Sequence, residues 1–261
     1  MVTGAAGNLG GAIASVYADA GADLLLIDID ADGLNRKALE LGHPGQRTRT
    51  IVGDITDIRQ IEDAFNLLDR EFGRIDILAN VAGPAKTGKP EEIALVDVET
   101  TIHSILTSRF YCCQLAGQRM LEAGRGSIIN ISSIAGFTAL GRGHIAYSMA
   151  LAAVAQMTRE LSTEWSGRGV RVNAIIPAQI RNGNLEQRME ADPQLGRNFL
   201  RGIPMGRLGE KEEIKGIALL LASDASSFIT GALIPLDGGN LAKNAGGSHP
   251  GMLEDRPGTS R

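Results

Sequence analysis

Cysteine is nearly absent. Two stand in 261 residues, and they are neighbours, Cys112 and Cys113. Adjacent helical residues point about 100° apart, which is poor geometry for a disulfide. Packed thiols in a reducing cytosol are expected instead, and a cytoplasmic location with them. The four histidines (His43, His103, His144 and His249) have no zinc-type spacing to one another or to the cysteines, so no metal site is expected. Charge of one sign is also lacking. The net charge is −4 and the lysines and arginines are scattered, which argues against a nucleic-acid footprint. Long apolar runs are missing too. The run "IALLLA" (Ile217–Ala222) is far too short to cross a bilayer, and no membrane partner is expected. The chain starts inside its first motif, so no signal peptide is expected. There is no internal repeat beyond a strand–helix rhythm, and no linker divides the chain.

What remains is the composition of an ordinary globular chain, with 43% hydrophobic and 21% charged residues. Short apolar runs alternate with amphipathic stretches, the pattern of repeated βαβ units around a parallel sheet. The runs are Leu24–Asp28, Arg49–Asp54, Ile75–Asn80, Gly126–Ser132, Val170–Ile176 and Ala232–Asp237. Nearly all apolar, they read as strands covered on both faces. Between the second and third of these runs, Ile58, Ile61, Ala64, Phe65, Leu68 and Phe72 form one helical stripe, with Asp57 placed to cap its start and Gly73 its end. Residues 179–209 break the rhythm and read as a short helical insertion over a site. Residues 240–261 are rich in Gly, Pro and polar side chains and read as a tail, ordered only if it docks on another subunit. The opening "MVTGAAG" leaves about three residues for a first strand, where a central strand usually has about five or six. Either the true start lies upstream or this strand is stunted.

"TGAAGNLGG" follows that short strand and opens a helix. A glycine turn feeding a helix N-terminus offers free backbone N–H groups and the positive end of the helix dipole to phosphates. The next strand, "LLLID", ends in Asp28. A carboxylate there accepts hydrogen bonds from the adenosine ribose diol and repels a 2′-phosphate, which favours NAD over NADP. Asp54 ends the third strand, where an adenine edge would lie. "NVAG" (Asn80–Gly83) ends the fourth, with Gly83 allowing close backbone approach and Asn80 able to tie strands together.

Taken in order, "TGAAGNLG", the acid at Asp28, "GD", "NVAG", "NISS", Tyr147, "RVNAIIP" and "LDGG" resemble the short-chain dehydrogenase/reductase family over Val2–Gly239. The resemblance implies a doubly wound Rossmann-type α/β domain over residues 1–239 with a seven-stranded parallel sheet flanked by helices. It also implies a homotetramer or homodimer built on a helical interface, and NAD(P)-linked chemistry on an alcohol or carbonyl. The cofactor site it implies comprises Thr3, Gly4, Ala6, Asn8, Leu9, Gly10, Asp28, Asp54, Ile55, Asn80, Ala82, Gly83, Tyr147, Pro177 and Ile180, and the catalytic pair is Ser133 and Tyr147. The chain departs from the pattern at several points. Leu151 stands where the family has a lysine four residues after the tyrosine, and Ile105 where it has a helical asparagine. Ser108 replaces a glycine, Ala178 follows Pro177 in place of glycine, and Asn182 replaces a threonine. Asn8 stands at the middle glycine of the loop; as a residue that tolerates the left-handed conformation it can keep the loop's shape.

The lost lysine matters because an unassisted phenol is ionised in only ~0.1% of molecules at pH 7, and positioned acid–base catalysis supplies about 10²–10⁴-fold. Arg109, Arg142 and His144 are the cations near enough in the chain to substitute. Three readings follow. The first is an NAD-dependent oxidoreductase on a small polar, polyol- or sugar-like substrate with an impaired or rewired proton relay. The second is an NAD-holding pseudoenzyme or scaffold subunit, and the third a non-redox reaction on the same fold.

Overall fold

The computed structural model describes residues 1–243. Seven strands form one parallel sheet: β1 (Val2–Thr3), β2 (Leu24–Asp28), β3 (Thr48–Val52), β4 (Ile77–Asn80), β5 (Gly126–Ile131), β6 (Val170–Pro177) and β7 (Leu233–Leu236). Their order is β3-β2-β1-β4-β5-β6-β7. The helices are α1 (Asn8–Asp19), α2 (Ala31–Glu40), α3 (Ile58–Phe72), α4 (Leu95–Ile102), α5 (Ser108–Ala123), α6 (Ile145–Trp165), α7 (Gly183–Ala191), α8 (Pro193–Arg201) and α9 (Ile214–Ala222). This is the doubly wound fold expected. Several strand ends move inward by one or two residues, as at Ile77 and Leu233, because a strand extends only as far as its neighbour offers a ladder.

Both faces of the sheet are covered, so alternate residues of one strand serve two cores. In β2, Leu24 and Leu26 pack with Ile13, Tyr17, Leu34 and Ile214 on one side. Leu25 and Ile27 pack with Phe65, Leu68, Cys112 and Met120 on the other. Helix α3 shows how the sequence dictates an element. The Asp57 side chain accepts from the Arg59 N–H at its start, Gly73 closes it at φ +72°, and Ile61, Ala64, Phe65 and Leu68 are its buried stripe. Both cysteines are free and buried, and burial pushes the Cys113 thiol up to about 12.

Strand order reverses between β1 and β4, and ligands in such sheets bind outside the carboxyl ends at that switch point. Over the same end lie α7 and α8, the helical insertion expected at 179–209. The Asn182 side chain caps α7 by accepting from the Leu185 N–H at 3.0 Å, and Asp192 caps α8 with Pro193 in its first turn. Their inner faces close over Phe199, Ile203 and Leu208. A π-helical turn, His103–Thr107, joins α4 to α5; the apolar pattern gave no sign of it. Of the expected tail, Asn240 and Lys243 donate to the Gly202 carbonyl at 2.6 and 3.0 Å. Residues 244–261, with His249, lie outside the described residues.

Strand β1 is two residues long, and Leu24 and Leu25 of β2 have no β1 partner. The Met1 ammonium is buried there and donates to the Ile77 carbonyl at 2.8 Å. Burial lowers its pKa from 8 to about 5, with Asp76 opposing. The folded state therefore holds this amine neutral while the unfolded state protonates it below pH 8, so its contribution to stability is full above pH 8 and is lost as pH falls toward 5. For the chain beginning at Met1, stability in urea should rise across pH 5–8 by up to about 4 kcal/mol from this group. Acetylating the amine, for which an adjoining cavity of about 440 Å³ has room, should flatten the slope; equal slopes for both forms would rule the effect out.

Candidate active site

The glycine turn after β1 is shaped by two close approaches. Gly4 adopts φ +68°, and a side chain on Gly10 would meet the Gly4 carbonyl oxygen at 2.0 Å, so only glycine lets α1 start there. Gly7 caps α1 without any side-chain acceptor, and no acid lies in the first turn. The first N–H groups of α1 are thus left for an anion. Asn8 is the first helical residue, and the described residues include no non-glycine with positive φ. Its tolerance of the left-handed conformation is therefore not used. Instead its Nδ2 donates to the Arg181 carbonyl at 2.8 Å, tying the glycine turn to the segment after β6.

Asp28 sits at the end of β2 beside this turn, accepting from the Ala6 N–H at 3.0 Å and the Asp30 N–H at 3.1 Å. Thr3 is buried, and its Oγ1 accepts from the Val81 and Ala82 N–H groups, bracing β1 against the segment after β4. Asp54 Oδ1 accepts from the Thr56 N–H at 2.8 Å, and Ile55 beside it is buried. Leu9 is half-buried in the first turn of α1. Gly83 has φ +147°, and a Cβ there would meet the Ser104 carbonyl at 3.0 Å. Pro177 ends β6, and Ile180 bridges to Gly209. These residues gather at the carboxyl end of the sheet. Asn80 has a fully buried side chain that donates to the Arg109 carbonyl at 2.9 Å and to Asn130 Oδ1 at 3.3 Å, the strand-tying part expected of it. It ties β4 to α5 and β5, because a buried amide must spend its donors inside the protein. A cavity of about 540 Å³ opens against Gly7 and Asn8, and Arg36, Lys37, Lys211 and Lys215 line it. Sequence reasoning missed these four cations, which come from two distant segments.

Beyond β5 the chain turns at Ser133, extended at φ −160°, whose Oγ accepts from the Ala135 N–H at 3.2 Å. Tyr147 lies in the first turn of α6. Ser133 and Tyr147 line one cavity of about 270 Å³ together with Arg142, His144, Gln179 and Arg188. The expected catalytic pair is thus brought together. Ser132, which sequence reasoning passed over, anchors the arrangement: its Oγ donates to the Leu151 carbonyl at 3.1 Å, joining β5 to α6. The Leu151 side chain is buried, packed with Ile105, Ala150 and Val154 and with Tyr147 against their edge.

Next to this apolar plug lies a buried charge. Arg109, the second residue of α5 just after the π-helical turn, is 4% exposed. It has no carboxylate partner among the described residues. Its guanidinium donates to the Ala82 and Val81 carbonyls at 3.0 Å each and to the Ile131 carbonyl. Burial lowers its pKa to about 10, and the Tyr147 phenol, when ionised, is the largest opposing influence. Arg109 is therefore a cation at neutral pH that shares an electrostatic environment with Tyr147. The other two candidate cations are placed differently. Arg142 stacks over the Phe199 ring at 4.5 Å. His144 donates from Nδ1 to the Arg142 carbonyl at 2.7 Å, and its ring centre lies 6.0 Å from that of Tyr147. Burial, followed by the charges of Arg142 and Arg188, holds it below the usual histidine range, with its own bond to the Arg142 carbonyl opposing. That environment disfavours its charged form.

A family model described as Enoyl-(Acyl carrier protein) reductase matches residues 4–240. The chain belongs to the short-chain dehydrogenase/reductase family. It is 40% identical to a D-threitol dehydrogenase of Mycolicibacterium smegmatis, over 93% of this chain and 92% of that one. It is 36% identical to an NAD-dependent glycerol dehydrogenase of Listeria innocua, over 93% of each. A solved structure from Beutenbergia cavernae, holding NADP at low occupancy, is 34% identical with a TM-score of 0.86 and covers 93% of this chain and 96% of its own. Polyol dehydrogenases thus stand among its relatives, and the chain is an oxidoreductase-type member acting on CH–OH groups. No helix among the described residues is long and apolar enough to cross a membrane. Nor do those residues hold a cluster of three or more metal-type ligands.

The plug and the buried arginine make one prediction. Leu151→Lys places a second cation beside Arg109 and should cost about 2–4 kcal/mol in urea unfolding. The double variant Arg109→Met with Leu151→Lys should lose clearly less than the two single losses added together. Strict additivity would mean that the two side chains do not share a space.

Proposed function

We propose that the protein is an NAD-linked dehydrogenase of small polyhydroxylated alcohols or the matching carbonyls, with Arg109 standing in for the lysine absent at position 151. The observation that carries this reading is the meeting of Ser133 and Tyr147 in one cavity at the same sheet end as the uncapped α1 N-terminus and Asp28. The chain's own features fit a dinucleotide. Gly10 leaves the space a side chain would fill, the first N–H groups of α1 suit a pyrophosphate, and Asp28 suits a ribose diol and repels a 2′-phosphate. When bound, the nicotinamide accepts the hydride in alcohol oxidation and donates it in the reverse reaction.

The remaining chemistry belongs to the protein. Ser133 Oγ positions the substrate oxygen, and Tyr147 Oη takes its proton in oxidation or returns it in reduction. Negative charge that develops on the Tyr147 oxygen as the proton moves is stabilised by a nearby cation, and Arg109, held by three carbonyls, is the buried cation that interacts electrostatically with Tyr147. Keeping a cation buried without a carboxylate is costly, which is an argument that it serves the neighbouring tyrosine. The apolar plug of Ile105 and Leu151 keeps water from screening it. On this reading the relay is rewired, which favours an enzyme over an NAD-holding scaffold.

Titration with NADH should give saturable binding, with NADPH at least about tenfold weaker, and Asp28→Ala should narrow the difference. Oxidation of threitol or glycerol with NAD should then be measurable. Tyr147→Phe should lower kcat by about 10²–10⁴ with NADH binding kept. Arg109→Met should lower turnover at pH 7 by about tenfold or more, and adding Leu151→Lys should restore part of it. Binding without any turnover of alcohols or carbonyls would leave the scaffold reading, and product formed with no change in nicotinamide redox state would point to a non-redox reaction.

A further inference from the structure

The cavity holding Ser133 and Tyr147 carries more positive charge than a neutral polyol needs. Arg142 and Arg188 both line it, and each is without a carboxylate partner among the described residues. The neighbouring lid arginines differ. Arg181 lies 2.8 Å from Glu210 and 3.0 Å from Glu186, and Arg207 lies 2.7 Å from Glu213. Arg142 makes no side-chain hydrogen bond to any described residue; its Nε is buried and unpartnered, as is Gln179 Oε1 in the same cavity. Its guanidinium carbon lies over the Phe199 ring, 4.5 Å from the centroid, a contact that holds the head group in the cavity before any ligand arrives. Burial and the charge of Arg188 both work against protonated Arg142. Arg188 is exposed at the mouth of the cavity and Arg142 keeps a buried donor unspent, and two like charges so placed are the arrangement of a site that awaits an anion. The cavity includes no residue of the glycine turn, so a cofactor phosphate held at α1 is not that anion.

We propose that the substrate bears an anionic group, a carboxylate or phosphate, bound between Arg142 and Arg188, while its hydroxyl or carbonyl carbon faces Ser133 and Tyr147. This rests on the dehydrogenase reading for the reacting end only. A cavity of about 270 Å³ suits a small molecule, and the class that fits both ends is a polyhydroxylated acid or a polyol phosphate.

The test compares substrates that differ in one end group: gluconate, glucitol and glucitol 6-phosphate, each with NAD. The kcat/KM of one anionic compound should exceed that of glucitol by at least about tenfold, and which anion wins separates carboxylate from phosphate. Arg142→Met, which keeps an apolar side chain on Phe199, and Arg188→Gln on the lid should each reduce that ratio by about 10–100-fold, mainly through KM. Thermal shift of the NADH-loaded protein with each anion gives a readout independent of turnover. An anion-dependent shift that both variants lose, with no alcohol oxidised, would support the anion site and remove the dehydrogenase reading. Equal turnover of neutral and anionic substrates, unchanged in ratio by either variant, would overturn the anion site and leave the dehydrogenase reading standing. No anion-dependent shift together with no preference in turnover would likewise overturn the proposal.

Discussion

The arrangement at the carboxyl end of the sheet depends on one buried guanidinium. Arg109 enters from α5 and must satisfy its donors without a carboxylate. It does so on the carbonyls of Val81, Ala82 and Ile131. Those oxygens lie on the segment that leaves β4 and at the last residue of β5, so one side chain ties together the ends of two paired strands at the cleft. The requirement spreads outward. Gly83 must lack a side chain, since a Cβ there would press on the Ser104 carbonyl and lie 3.4 Å from Arg109 Nη2. Asn80 gives an N–H to the Arg109 carbonyl. The π-helical turn just before α5 places Ile105 in the plug beside the charge. A buried charge is tolerated only when its hydrogen bonds are complete, and here that condition organises four elements at once.

Charge is distributed unevenly over the cleft. At the glycine turn, Asp28 stands opposite backbone N–H groups, with Arg36, Lys37, Lys211 and Lys215 around the cavity and Glu40 and Glu212 among them. Near Tyr147 no acid lines the cavity, and the two arginines there are unpaired among the described residues. The first environment is balanced, as a site for a large ligand carrying both a diol and phosphates should be. The second is one-sided. Low dielectric around Phe199 and the plug strengthens any charge–charge contact made there.

Much of the fold was legible because its signals are local. The β2 run was read to the residue, since an apolar run closed by an acid has one natural end. Helix α3 was legible from its stripe and both caps, Asp57 and Gly73. The glycine turn, Asp28, Ser133 and Tyr147 were legible because each lies beside a strand end that the periodicity marks. The π-helical turn was not, since its residues carry the same apolar pattern as an α-helix. Neither were the bracing hydroxyls of Thr3 and Ser132, because a side chain's partner across the sheet leaves no trace in its own neighbourhood. Arg109 could be named as a candidate cation, yet a charged residue on an amphipathic helix looks the same whether it faces water or core.

The sequence by itself therefore determined the strand and helix order, the dinucleotide-type turn and the pair Ser133–Tyr147, all through short-range chemistry: propensity, capping, and glycine where no Cβ fits. It also determined that positions 105 and 151 would be apolar. Only the tertiary structure decided what that apolarity means. Packing brought Ile105 and Leu151 into one cluster against Tyr147, set the Arg109 charge beside it, and drew Arg142 and Arg188 from separate segments into the same cavity. Those relations join residues tens of positions apart, and burial and Coulomb interaction act through space, not along the chain.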